Sequence, residues 1–178
     1  MMKSPFEGEL VRLRAREPED EPLLHAWFND VDVTEHLSIR YPLSHAQEKA
    51  FIEANNAPSF AKTSFTIETL AAGKAIGGIG LEQASPENRG AVLGIAIGDK
   101  EYWNGGYGTD AMRVMCRFGF EMMNLHRIQL DVYPVNERAV HVYEKLGFQH
   151  EGRLRQASDK FGVYRDLLVM GLLRGELR

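Results

Sequence analysis

Residues 101–112 read EYWNGGYGTDAM. They follow the apolar run Ala91–Ile97 and open an amphipathic stretch that reaches about Leu125, so a glycine-rich turn joins a strand to a helix. The first N–H groups of a helix have no partner inside it, and the helix dipole adds partial positive charge at that end. Anions, phosphate above all, are held there. Gly105, Gly106 and Gly108 remove the Cβ atoms that would keep a ligand from the backbone. The plainer alternative is that these glycines only punctuate a loop.

The letters test two known cradles. The phosphate loop of NTPases needs Gly-Lys followed by Ser or Thr, and the chain has no such tripeptide. The dinucleotide fingerprint fits better: Gly106, Gly108 and Ala111 satisfy G-x-G-x-x-A, and Asp131 follows about 20 residues later at a strand end. Against it, the polar segment Gly98–Gly105 separates strand from glycines, and several strands precede the one that should open a Rossmann unit.

Working outward, Val11, Leu13 and Ala15 alternate with Arg12, Arg14 and Arg16, the period of a half-buried strand. Pro18 opens a helix with Leu23, Leu24, Trp27 and Phe28 on one face. Ser44 and Gln47 form a capping box for a second helix carrying Ala50, Phe51 and Ala54. Asn29–Pro42 lacks a period and reads as a loop over a cleft. Three strands follow, Ser64–Thr69, Ala75–Glu82 and Ala91–Ile97, and their short connections make an antiparallel meander. Beyond the glycine turn, Ala111, Val114, Met115, Phe118 and Met122 recur at helical spacing. Arg127–Tyr133 is a strand reached across that helix, hence parallel to its predecessor. Asn136 caps a helix that buries Ala139, Tyr143 and Leu146 and ends at Gly147, and Glu151–Arg155 and Tyr164–Leu173 are the last strands.

The bounds are those of an ordinary globular chain: 178 residues, 44% hydrophobic, 26% charged. A net charge of −4 argues against a general nucleic-acid binder. No membrane-length apolar run and no signal-peptide core are present, so a cytoplasmic protein is expected. Cys116 is alone and reads as a buried small residue. The six histidines show no HExxH or Cys pairing, so no metal is expected. Without a Gly-x-Ser-x-Gly elbow, no serine nucleophile is expected either.

The glycine turn resembles the Q/R-x-x-G-x-G/A loop of the GCN5-related N-acetyltransferases. Gly106 and Gly108 match it, Trp103 stands at the Q/R place, and Asn104-Gly105 replaces the Gly-Lys pair common in its closest relatives. Residues 127–148, RIQLDVYPVNERAVHVYEKLGF, are similar to the second signature of that family, an Asn opening a helix and a Tyr seven residues on, here Asn136 and Tyr143. The opening GELVRLRAREPED resembles the start of the ribosomal-protein alanine (RimJ/RimL-like) subgroup, so the likeness covers almost the whole chain.

The resemblance implies one α/β domain over residues 1–178, with a mixed, mostly antiparallel sheet of about seven strands flanked by helices and a parallel pair that splays apart. It implies acetyl-CoA as co-substrate, with the pyrophosphate on the main chain of Trp103, Asn104, Gly105, Gly106, Tyr107, Gly108 and Thr109. Asn136 would face the cofactor, and a backbone N–H near Ala96, Ile97 and Gly98 would meet the oxyanion of a tetrahedral intermediate. Tyr143, with a reference pKa near 10, would protonate the departing thiolate. Asp131 would deprotonate the amine, with His36 and Glu82 in reserve. The acceptor would be a primary amine, either a protein N terminus or a small molecule, and the protein a monomer or homodimer. A nucleotide-binding oxidoreductase built on Gly106, Gly108, Ala111 and Asp131, or a non-catalytic acetyl-CoA sensor, are the alternatives.

Overall fold

The computed structural model describes residues 4–55, 57 and 59–178. β1 (Val11–Arg14) pairs antiparallel with β2 (Lys62–Thr69), which continues through β3 (Ala75–Ser85) into β4 (Gly90–Ile97) as a meander. Between β1 and β2 lie α1 (Glu21–Phe28), α2 (Val31–Thr34) and α3 (His45–Ala54). The helix α4 (Tyr107–Glu121) crosses over to β5 (Arg127–Val132), parallel to β4. Then come α5 (Glu137–Leu146) and the hairpin β6 (Gln149–Lys160) and β7 (Val163–Leu173), with β7 against β5. The sheet order is β1-β2-β3-β4-β5-β7-β6, the mixed seven-stranded architecture expected.

The parallel pair is short for a physical reason. It joins only Gly90–Val92 to Arg127–Gln129. Beyond Val92, β4 stays with β3 as far as Ile97 opposite Gly77, while β5 stays with β7 as far as Val132 opposite Leu168. Each strand is held by its outer neighbour, so the two diverge and their facing edges are left without a strand partner.

The core forms where α4 lies on the sheet. Ala111, Met112, Met115 and Cys116 pack with Ile79, Leu81, Ile128 and Leu130, all nearly or fully buried. Each large apolar side chain buried this way contributes about 1.5–3 kcal/mol. Burial pushes the Cys116 thiol up to about 12, which makes it inert. At the head of α4, the Asp110 carboxylate accepts from the amides of Glu9 (2.9 Å), Leu10 (2.8 Å) and Val11 (3.1 Å), tying the start of β1 to the helix. On the sheet beside it, Arg12 and Arg14 both bond Glu68 across the β1–β2 ladder.

Several local expectations are corrected. Asn29–Pro42 contains α2, because Asp30 caps it by accepting from the Asp32 amide at 2.9 Å. Leu24 is buried on α1, whereas Leu23 is 39% exposed. The buried residues of α3 are Glu48 and Ile52; Phe51 instead lies under the cations of Arg16 (5.4 Å) and Lys62 (5.3 Å). Met122 falls beyond the end of α4 and is exposed. β6 is longer than Glu151–Arg155, running from Gln149 to Lys160. Its register shifts between His150 and Gly152 and again between Leu154 and Ser158, which breaks the alternation that marks a strand in sequence.

Candidate active site

The gap between the diverging strands is a cleft of about 1130 Å³. Leu93–Ile97 of β4 form one wall, and Leu130–Tyr133 with α5 form the other. Of the residues singled out in the sequence, Ala96, Ile97, Trp103, Asn104, Gly106, Gly108, Thr109, Asp131, Asn136 and Tyr143 all line it. Four others do not. Gly98 donates its amide to Ile76 O at 2.9 Å and its Cα packs against the Trp27 ring; the two-residue alternation of the β3–β4 ladder commits the Ala96 amide to Gly78 in the same way, which leaves Ile97 as the oxyanion candidate. Gly105 is exposed, beneath the Tyr107 ring, and Tyr107 itself packs edge-on against Tyr102 at 5.0 Å. Glu82, the reserve base, is also outside, ion-paired with Lys62 at 3.1 Å.

The glycine turn is built as an anion cradle. Gly106 is the N-cap of α4 at φ +85°, a conformation that strains any residue with a Cβ. No side chain caps this helix. Its first internal bond runs from Asp110 N to Gly106 O (3.0 Å), so the amides of Tyr107, Gly108 and Thr109 have no acceptor among the described residues. Trp103 braces the turn by donating Nε1–H to Ile97 O at 2.8 Å. Arg138, which sequence reasoning missed, comes from α5 to lie over the Trp103 ring at 5.2 Å and bonds Asn104 Oδ1 at 3.2 Å. It places a guanidinium over the turn whose own lysine is missing. Only the packing of α5 on the loop brings the two together, and no local pattern signals it.

Seven residues are close to two helical turns, so Asn136 and Tyr143 share one face of α5. Asn136 Oδ1 caps the helix by accepting from Ala139 N at 3.2 Å. The Tyr143 ring packs near Phe148 (6.0 Å), and its hydroxyl has no hydrogen-bond partner among the described residues. Burial pushes the Tyr143 phenol up to about 12, only partly offset by Arg138. Asp131 is exposed on the cleft wall, with Gln129 Nε2 at 3.4 Å.

The outer wall comes from the segment after α2. His36 lines the cleft, and its Nδ1 is shielded without a partner. Burial lowers the His36 pKa, and Arg165, Arg138 and Lys160 lower it further against the opposing pull of Glu35. This segment is tied down from far along the chain. Lys160, 1% exposed, donates Nζ to the carbonyls of Thr34 (2.8 Å), Leu37 (2.8 Å) and Ile39. One buried ammonium thus clamps the His36 segment to the β6–β7 hairpin.

A helix head with unpaired amides, a splayed parallel pair and a phenol in the gap are the arrangement that acyl transfer from a phosphate-bearing donor would need. Residues 11–149 match the acetyltransferase (GNAT) domain family. The chain belongs to that family, and it is an N-acetyltransferase. It is 29% identical over 170 residues to the uncharacterized N-acetyltransferase p20 of Bacillus licheniformis, covering 94% of this chain and 95% of that one. It is 31% identical over 165 residues to the spermidine N(1)-acetyltransferase of Escherichia coli K12, covering 90% and 84%. Among solved structures, the spermidine N-acetyltransferase of Vibrio cholerae in complex with CoA and spermine superposes with a TM-score of 0.85 at 26% identity, covering 93% and 96%.

Proposed function

We propose that this chain passes the acetyl group of acetyl-CoA directly to a small primary amine, through a tetrahedral intermediate, in the cytoplasm. The observation that carries the reading is that the uncapped amides of Gly108 and Thr109 and the Tyr143 side chain line one cleft. The amides and Arg138 would hold the pyrophosphate, and Asn136 would flank the cofactor arm. The main-chain N–H of Ile97 in β4 would meet the oxyanion. The amine lone pair attacks the carbonyl carbon, the C–S bond breaks, and the thiolate takes the Tyr143 proton.

For the base we assign His36 ahead of Asp131. A lowered pKa keeps the His36 imidazole neutral through the physiological range, ready to accept the ammonium proton. Asp131 is exposed on the cleft wall, where solvent competes with the amine for its oxygens. His36→Asn should cost about tenfold in kcat and remove an acid limb that lies below about pH 6.5 in the parent enzyme. A loss confined to Asp131→Asn, with the limb intact in His36→Asn, would hand the role to Asp131.

A small acceptor is favoured over a protein N terminus because relatives matched over most of their length are named for spermidine. The RimJ/RimL-like opening at residues 8–20 points the other way. The oxidoreductase alternative loses its footing: the dinucleotide fingerprint belongs to a parallel sheet, and only three residue pairs here are parallel. Titration should give micromolar CoA binding and none for NAD or NADP; the reverse would end the acetyltransferase reading. A panel of amines with CoA release followed separates catalysis from a sensor, since tight acetyl-CoA binding with no turnover would favour the latter.

A further inference from the structure

Next to the transfer cleft a second cavity of about 670 Å³ opens toward the β6–β7 hairpin. Glu35, His36, Tyr133 and Val135 line both spaces, so an acceptor reaching the thioester through one rests its far end in the other. The outer wall carries Arg153, Arg165 and Asp166. Arg153 and Asp166 neutralise each other through a 2.6 Å bond, and the second Asp166 oxygen accepts from Gln156 N at 2.8 Å. Arg165 has no such arrangement. Its guanidinium lies over the Tyr133 ring at 5.7 Å, and its Nη1 is shielded from solvent with no acceptor. Among the described residues it forms no ion pair. The ring beneath it is fixed by a 2.7 Å bond between Tyr133 Oη and Ser158 Oγ. A shielded guanidinium nitrogen without an acceptor is costly, and such groups in folded proteins call for an explanation. The shielded and unpartnered Nδ1 of His36 stands in the wall the two spaces share.

We propose that this cavity is the distal acceptor subsite and that Arg165 binds an oxyanion, carboxylate or phosphate, carried on the same small molecule as the amine. The proposal rests on the acetyl-transfer reading above. A planar guanidinium fork matches the paired oxygens of such a group. Glu35, in the shared wall, supplies the carboxylate that an entering ammonium meets. A polyamine, cationic at its far end, would be set against Arg165 and repelled. The acceptor class is therefore amino acids or amino phosphates, in contrast to the spermidine named for relatives of this chain.

The test uses the full chain and amines matched in length: ω-aminoalkanoates, ω-aminoalkyl phosphates, plain n-alkylamines and spermidine, with CoA release measured. The anionic amines should exceed the n-alkylamines by about tenfold or more in kcat/KM, with spermidine poorest. The two anionic series rank carboxylate against phosphate. Arg165→Gln should erase that advantage, so that the ratio of anionic amine to n-alkylamine falls to about one, Arg165→Lys should keep part of it, and Arg165→Glu should turn preference toward spermidine. A parent enzyme that prefers spermidine, or an anion preference that survives Arg165→Gln, would overturn the subsite. Silence toward every amine while CoA still binds would instead sink the transfer reading, and the subsite with it.

Discussion

Tyr143→Phe is expected to lower kcat by about 10²-fold while acetyl-CoA affinity changes by less than about twofold. The substitution removes one hydroxyl that has no hydrogen-bond partner among the described residues, and it keeps the ring that packs near Phe148. A phenol raised to about 12 stays protonated across the whole working range. Set against a free thiol near 8.5, such a phenol looks too weak an acid. The burial that weakens it, however, also raises the basicity of a thiolate lodged in the same cleft, so the two move together. No alkaline limb below about pH 10 should trace to Tyr143, because its neutral form persists to higher pH. Single-turnover kinetics with a saturating amine separate the chemical step from binding, and a rate equal to the parent's would take Tyr143 out of the mechanism.

What made this site readable was local. The glycine turn with its following helix, and the seven-residue spacing of Asn136 and Tyr143, are short-range patterns whose geometry follows from helix pitch and helix ends. The meander and crossover follow from connection lengths, so sheet order as far as β5 was legible. What escaped were contacts between distant segments. Lys160 reaches Thr34, Leu37 and Ile39 across more than 120 residues, and a lysine in a polar stretch, DKFG, carries no mark of burial. Arg138 over Trp103 and Arg165 over Tyr133 depend on how α5 and the β6–β7 hairpin pack, which periodicity does not encode. Gly98 illustrates the limit from the other side: sequence placed it near the gap, but a strand-end amide goes to whichever carbonyl lies closer, here Ile76 O. The glycine turn and the Asn136–Tyr143 face were therefore visible, and the long-range contacts of Arg138, Lys160 and Arg165 were not.

Asp110→Ala is expected to cost about 3 kcal/mol of stability, the largest loss among single changes outside the core, because the carboxylate serves three main-chain donors at once. Truncation leaves the amides of Glu9, Leu10 and Val11 without their acceptor, and the helix head gives them no substitute. Gly8 shows how closely the segments meet: a Cβ there would lie 2.2 Å from Asp110 Oδ2, so no larger residue shifts in to fill the gap. For a chain of this size the loss corresponds to a fall in Tm of roughly 6–12 °C. Asp110→Asn should fall between, since one oxygen still accepts while the amide N–H₂ faces donors. The consequence extends to the cleft, because a Cβ at Gly106 would sit 3.5 Å from Leu10 Cδ1: the strand that Asp110 anchors also backs the turn. Loosening that strand should weaken CoA binding more than it lowers turnover at saturating CoA, since Tyr143 stands on a different helix. Thermal unfolding with and without CoA measures both. A shift below about 2 °C would mean that water takes over as acceptor and that the N-terminal strand is held by its ladder to β2 alone.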